Sequence, residues 1–371
     1  MFYMNFSINL PVRIISGADC IKKNTDALLL GERALIVTGR NGAKKSGALD
    51  DVISVFNEHG VNYELFDCIT ENPPLATCFE GGRLAADIGA DFIVGIGGGS
   101  AIDAAKAIAA FASNQQILME DIFNSSKRVI PSLPMAAIPT TSGTGTEANP
   151  YSVLSLPGGE KKKTFAAPDS WPKVAFLDPR YTFSLSKDQT LSTALDAFAH
   201  ALESYLSPKS TELSGMMALY AASIIWNIIK DDPEEYTHSM HEKLLCASCA
   251  AGIAISVTGT GFPHPLGYSL TMLEGISHGR ACAIFDGDYI SYNMRTVPGA
   301  ERLARFADYV GAEIDELAET LPRLANVDIA LSESDIRHHI DLISSAKNYT
   351  NSPYVISEEE MLEIYRAHFL I

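Results

Sequence analysis

"DFIVGIGGGSAIDAAKAIAAFAS", residues 91–113, passes from a short apolar block through three consecutive glycines into an alanine-rich stretch. The block reads as a buried strand, the glycines as a tight turn and the remainder as a helix. Glycines at such a turn let backbone approach a ligand closely, and the opening of the helix points free N–H groups at it. Gly97, Gly98, Gly99 and Ser100 are therefore a candidate pyrophosphate cradle, with Asp103 and Lys106 in the first turns of the helix. The spacing is not a full G-x-G-x-x-G, so an ordinary tight turn stands beside this reading.

The same alternation continues on both sides. "ALIVTGR" (34–40), "NYELFD" (62–67), "PMAAIPTT" (134–141) and "VAFLDP" (174–179) read as strands, and "LDDVISVFNEHG" (49–60) and "FEGGRLAADIGA" (79–90) as helices. Strands alternating with helices predict a parallel sheet covered on both faces. After about residue 182 the period changes. Stretches such as "LSTALDAFAHALESYLS", "ELSGMMALYAASIIWNIIK" and "GAERLARFADYV" all run at helical spacing. The expectation is an α/β, Rossmann-like dinucleotide-binding domain over residues 1–182, followed by an all-helical metal and substrate domain over 183–371. A cleft between two such domains is a common place for a small-molecule site.

The totals narrow the function. With 28 Lys and Arg against 45 Asp and Glu, the chain carries a net charge of −17, which disfavours binding to nucleic acid or to anionic membrane. Six cysteines in 371 residues are not a disulfide framework. The lone C-x-x-C at Cys246 and Cys249 reads as two small core residues. The N-terminus lacks the pattern of a signal peptide, and no uninterrupted apolar run reaches membrane-spanning length, so a reduced cytoplasmic setting is expected.

Two more loops join the glycine turn. "IPTTSGTGTEANPYSV" (138–153) follows a strand with a dense run of hydroxyls, Thr140, Thr141, Ser142, Thr144 and Thr146, with Gly143 and Gly145 between them. Doubly wound sheets bind ligands at the carboxyl ends of their strands. The alternative is a solvated loop whose hydroxyls cap the next element. In "IVTGRNGAKKSG" (36–47), Gly39 stands where many dinucleotide sites carry an acidic residue for the ribose hydroxyl. Arg40, Asn41, Lys44, Lys45 and Ser46 follow it. A small residue with basic neighbours favours the 2′-phosphate of NADP over NAD.

Of nine histidines, His59, His238, His241, His338, His339 and His368 have charged or polar sequence neighbours and read as surface residues. His200, His264 and His278 lie in the least charged stretches. His200 also stands one helical turn after Asp196, on the same face. That pair alone reads equally as a surface pair, a buried hydrogen bond or part of a metal site. One carboxylate and three neutral imidazoles in apolar helical segments suit Fe2+ or Zn2+.

Taken in order, "GIGGGSAIDAAKAIA", "AIPTTSGTGTEANPYSV", "VAFLDP", "TALDAFAHALESY" and "HPLGY…ISHGRACAI" resemble the iron-containing (group III) alcohol dehydrogenase family, from about residue 10 to about 360. The resemblance implies the dehydroquinate synthase-like fold. It implies Asp196, His200, His264 and His278 as metal ligands, and cofactor contacts from Gly97–Ser100, Thr140–Thr146 and a lysine of "GEKKKTF", Lys162 before Lys163. It implies hydride transfer between a small alcohol or aldehyde and NADP or NAD, with the metal polarising the substrate oxygen, in a homo-oligomer, first a dimer paired through "MFYMNFSINL". Two departures stand out. Tyr268 replaces the histidine that many members carry four residues after the third ligand, so that histidine's proton-relay role does not carry over, and the Tyr268 hydroxyl is the candidate to replace it. Gly39 replaces the acidic residue of NAD-preferring members. A polyol dehydrogenase is the nearest alternative. A same-fold enzyme on a phosphorylated substrate would need more basic residues near the metal than Arg280 alone.

Overall fold

The computed structural model describes residues 6–371; the first five residues of the segment expected to pair subunits lie outside the described residues. The chain forms two compact units. One comprises Asn9–Ser186 together with Thr237–Cys249, and the other Lys187–Tyr236 and Ala250–Ile371 with the described residues up to Ile8.

In the first unit the strands are β1 (Arg13–Ser16), β2 (Arg33–Gly39), β3 (Asn62–Ile69), β4 (Phe92–Gly97), β5 (Met135–Pro139), β6 (Ser152–Ser155), β7 (Lys162–Phe165) and β8 (Val174–Leu177). Six of them make one sheet in the order β1-β8-β5-β4-β2-β3, with every neighbouring pair parallel. Central strands covered on both faces become continuous apolar runs, and β5 is buried at all five residues. Alternate side chains feed two cores. Ile36, Phe92, Val94, Ile96 and Ile138 pack with Val52 and Phe56 on one face. Leu35, Val37, Ile93 and Ala137 pack with Ile102, Ala105 and Ile108 on the other.

The parallel sheet and its crossover helices Ala48–His59, Leu75–Asp87 and Gly99–Ser113 match the sequence pattern. Two features were not anticipated. β1 is a four-residue edge strand, mostly exposed, and so carries no apolar period. β6 and β7 form a separate antiparallel hairpin around the charged turn at 156–161.

The second unit is helical. Its site is built from Lys187–Leu206, Pro263–Leu273, His278–Ala283 and Asp286–Asn293. The helix Pro263–Leu273 was not foreseen, because glycines and Pro263 break the preceding pattern. Pro263 instead opens the new helix at its first turn, where its missing N–H costs nothing. Two helices, Glu212–Ile229 and His238–Thr258, are long and apolar enough to cross a membrane by length and composition, although polar residues interrupt the apolar run in both. Half of the apolar window in the first and 61% in the second is buried inside the protein, as in core helices. Two histidines expected at the surface are also buried. His241 packs against the Phe183 ring at 5.7 Å, and His339 Nε2 lies 3.1 Å from Glu274 Oε1. Their charged sequence neighbours occupy the other faces of the same helices.

Candidate active site

Asp196 and His200 are buried on the helix Lys187–Leu206, and His264 is buried at the start of Pro263–Leu273. His278 opens the helix His278–Ala283 and keeps 29% of its side chain exposed, which makes it the accessible side of the group. The Nε2 atoms of His200, His264 and His278 lie 3.7, 3.6 and 3.8 Å from Asp196 Oδ1. These separations are too long for hydrogen bonds. They match donors around one ion: two atoms each about 2.1 Å from a metal lie about 3.4 Å apart at the tetrahedral angle. Asp196 Oδ1 and His264 Nε2 are buried and make no hydrogen bond. Orphaned buried polar atoms are rare and costly, and a shared ion would satisfy both.

Convergence depends on one glycine. A β-carbon at Gly279 would overlap the backbone carbonyl of Ser192 and crowd the Asp196 N–H. With hydrogen there, the His278–Ala283 helix seats directly on Lys187–Leu206 and brings His278 to Asp196.

Glu203, which sequence reasoning did not single out, lies seven residues after Asp196 on the same helix face and is fully buried. Its Oε1 is 2.6 Å from His264 Nδ1, and its other oxygen accepts the Gly261 N–H. This carboxylate–imidazole pair fixes the ring so that Nε2 faces Asp196, as carboxylates behind metal-bound histidines do. A third carboxyl, Asp286, is buried with neither oxygen hydrogen-bonded. Burial, followed by the charge of Glu203, pushes its pKa well up.

The electrostatics follow from this crowding. Burial alone would raise the Asp196 pKa, but His200 and then the other two histidines outweigh it and hold the carboxyl far below its usual range. Burial would lower the pKa of His264, but Glu203 and Asp196 overcome it and push it up to about 10. Without an ion, a proton on His264 balances the two carboxylates.

In the first unit the three expected loops are neighbours. β2, β4 and β5 are adjacent and parallel, with Thr38 opposite Ile96 and Gly97 opposite Pro139. Gly39, Gly97–Ser100 and Thr140–Thr146 therefore emerge side by side at the carboxyl ends, where such sheets bind nucleotides. The glycine and threonine loops interlock. A β-carbon on Gly98 would lie 3.1 Å from Thr141 Oγ1, and one on Gly99 2.5 Å from Thr144 Cγ2. Gly98, Gly99, Ser100, Thr141 and Thr144 keep exposed surface.

Beneath them Thr140, Thr146 and Asp103 are buried. Thr146 Oγ1 donates to Asp103 Oδ1 at 2.6 Å, and Asp103 Oδ2 accepts the Val153 N–H at 2.8 Å. Fully buried Lys106 donates to the carbonyls of Thr146 and Tyr151. Asp103 and Thr146 thus brace the threonine loop against the helix. Arg40, Asn41, Lys44 and Lys45 are exposed after β2, and Ser46 is half-buried. Lys163 lies over the Phe123 ring at 4.4 Å, whereas Lys162 is close enough for its charge to act on Asp103.

Tyr268 stacks on His278, with ring centroids 5.7 Å apart. Arg280 points elsewhere: its guanidinium donates to the carbonyls of Leu324 and Ala325 and pairs with Asp188 at 2.6 Å.

The class that fits both units is an oxidoreductase combining a metal ion with a nicotinamide dinucleotide. The chain belongs to the iron-containing alcohol dehydrogenase family: the family model for iron-containing alcohol dehydrogenase matches residues 11–179, and the model for the C-terminal part of the family matches residues 190–369. It is an NAD(P)-dependent oxidoreductase acting on alcohols and aldehydes. An iron-containing alcohol dehydrogenase from Thermotoga maritima superposes with a TM-score of 0.90 at 36% identity, covering 98% of this chain and 99% of that one. The NADPH-dependent butanol dehydrogenase of Clostridium saccharobutylicum is 29% identical over 91% of this chain and 92% of its own. The NADH-dependent butanol dehydrogenase B of Clostridium acetobutylicum is 27% identical over 82% and 79%.

Proposed function

We propose that the chain interconverts a small alcohol and its aldehyde with NADP as the preferred cofactor, using Fe2+, with Zn2+ accepted by the same donors, held by Asp196, His200, His264 and His278. The observation that carries this reading is the convergence of Asp196 Oδ1 and three imidazole Nε2 atoms, two of these four atoms buried without any hydrogen bond. When bound, the ion supplies a Lewis acid for the substrate oxygen, and the nicotinamide carries the hydride.

The chain's own groups prepare that chemistry. Asp196 supplies the negative charge that retains a cation among neutral imidazoles. Glu203 fixes the orientation of His264. The exposed edge of His278 leaves an approach for substrate, and Tyr268, stacked there, is assigned the proton relay. Gly98, Gly99, Ser100, Thr141 and Thr144 contact the dinucleotide, with Lys162 beside them. Arg280, engaged with Asp188 and two carbonyls, is not available to a phosphorylated substrate, which supports the simple alcohol. The reading includes a cytoplasmic setting without nucleic-acid or membrane partners. It also includes a homodimer formed through the N-terminal segment, tested by the mass in solution from light scattering.

The preference for NADP rests on Gly39 and the basic residues after it. Gly39→Asp places a carboxylate where the 2′-phosphate is read, against one close contact among the described residues, the Ile69 carbonyl at 3.2 Å. Like charges at one locus cost enough to lower kcat/KM with NADPH at least about tenfold, while NADH holds or gains. Steady-state kinetics with both cofactors check this; unchanged NADPH kinetics would remove Gly39 from the specificity argument.

Metal uptake should depend on pH through His264. Its folded pKa, about 10, lies above the ordinary 6.5. The stability it lends to ion-free protein is therefore fully present below about 6.5 and is lost as pH rises through about 10. An ion must displace this proton, so affinity rises by up to about tenfold per pH unit on the way to pH 10. Competitive-chelator titrations from pH 7.5 to 9.5 read the slope, and a flat profile would contradict the assignment.

A further inference from the structure

We propose that Asn41 is a modification site, where the side-chain amide is lost through ring closure onto the Gly42 nitrogen and a carboxylate takes its place, and that this change withdraws the preference for NADP. The inference rests on the reading that the 2′-phosphate is recognised beside Gly39, and it deepens that reading by adding a covalent way to switch the preference off.

Asn41–Gly42 is the one Asn-Gly pair in the sequence. It follows β2 directly, beside Gly39 and among Arg40, Lys44 and Lys45. Asn41 and Gly42 are both exposed. The Asn41 side chain does not cap the helix Gly42–Lys45, and among the described residues it makes no hydrogen bond that would hold its amide. Gly42 has no β-carbon to shield its nitrogen. The pair is held by the turn itself, in which the Asn41 carbonyl accepts the Lys45 N–H at 2.9 Å. A helix of four residues is a single turn, far below the length at which a helix is stable alone. It therefore opens readily, and opening frees the backbone of Asn41 for the reaction. The two asparagines that precede serine are held differently. Asn124 Oδ1 accepts the Ser126 N–H at 3.0 Å, and Asn351 is buried with its amide donating to the Thr260 carbonyl.

The chemistry needs only water. The Gly42 nitrogen gives up its proton to solvent hydroxide and attacks the Asn41 side-chain carbonyl carbon. A C–N bond closes a succinimide ring, the bond to the amide nitrogen breaks, and ammonia leaves. Water then opens the ring at either carbonyl, which gives aspartate or isoaspartate at position 41. Nothing is oxidised or reduced. Both products place a new negative charge among Arg40, Lys44 and Lys45, where it pairs with the cations that would otherwise meet the 2′-phosphate and repels the phosphate itself. Isoaspartate also lengthens the backbone of the turn. NAD carries no 2′-phosphate and escapes this penalty. Bound NADP would hold the turn closed and so protect Asn41.

The test is to age the full-length protein in mildly alkaline buffer at physiological temperature, with and without NADP+, and to withdraw samples for peptide mass spectrometry and for kinetics with NADPH and NADH. The expected result is conversion at Asn41 ahead of Asn124 and Asn351, slowed by NADP+. As conversion proceeds, kcat/KM with NADPH falls in step while that with NADH holds. Freshly made Asn41→Asp reproduces the end point, a loss of at least about fivefold with NADPH. Gly42→Ala adds a β-carbon that meets nothing within 4 Å among the described residues. It should leave fresh activity unchanged, and on ageing keep both its amide and its NADPH activity. An intact Asn41 amide in aged protein would overturn the proposal, as would an equal loss of NADPH activity in aged Gly42→Ala. Conversion with unchanged NADPH kinetics would also overturn it. In that case Gly39→Asp separates the two readings: if it lowers NADPH turnover, recognition beside Gly39 stands and only the switch at Asn41 falls, and if it does not, both fall. Because the mass spectrum of aged wild type is itself decisive, poor folding of a variant cannot rescue the proposal.

Discussion

Asp196→Ala protein is expected to retain less than about one tenth of the wild-type metal content and to lose about 10³-fold or more in kcat/KM, the scale of removing a charge-stabilising group from a buried site. Among the described residues, Asp196 is the one carboxylate within 4 Å of all three imidazole Nε2 atoms. Without it, the three imidazoles face a divalent ion with no carboxylate among them, and the buried space offers no water-like screening in compensation. Asp196→Asn keeps the volume but not the charge, and should lose metal nearly as completely. Metal analysis of purified protein, read beside steady-state kinetics, separates the possibilities. Full metal content with lost turnover would mean that the carboxylate acts on substrate rather than on the ion.

Gly279→Ala is expected to damage stability and metal affinity together. The added β-carbon has no room beside the Ser192 carbonyl, and backbone on both sides prevents an easy shift. Overpacking of this kind costs about 1–3 kcal/mol. Relief requires the His278–Ala283 helix to retreat, which carries His278 away from Asp196. Thermal unfolding of the metal-stripped protein gives the first effect, and Co2+ or Zn2+ affinity gives the second. A variant with wild-type melting and affinity would show that the two helices do not touch so closely at this glycine.

The core of the sheet was legible because β2, β4 and β5 are covered on both faces and leave unbroken apolar runs in the sequence. β1 and the β6–β7 hairpin were not, because short, half-exposed strands carry no such run. Asp196 and His200 could be paired from spacing alone, since one turn of helix fixes their common face. Glu203 was equally available, seven residues after Asp196. A glutamate inside a helix is most often a solvated side chain, however, and only the His264 ring set against it marks this one as different.

Gly279 had no signal at all: its constraint is a carbonyl 87 positions earlier in the chain, at Ser192. Asp103 and Thr146 looked like cofactor contacts because they lie in the right loops. Only tertiary structure reveals that both are engaged with each other and with Lys106. His241 and His339 misled in the opposite sense. Charged neighbours in sequence say little about which face of a helix a residue occupies.

The most direct test of the account is aldehyde-dependent oxidation of NADPH and NADH by metal-stripped protein, before and after Fe2+ or Zn2+ is restored. The account predicts negligible turnover in the stripped protein, recovery on binding one ion per chain, and faster turnover with NADPH. Full turnover by protein shown to be free of metal would contradict it.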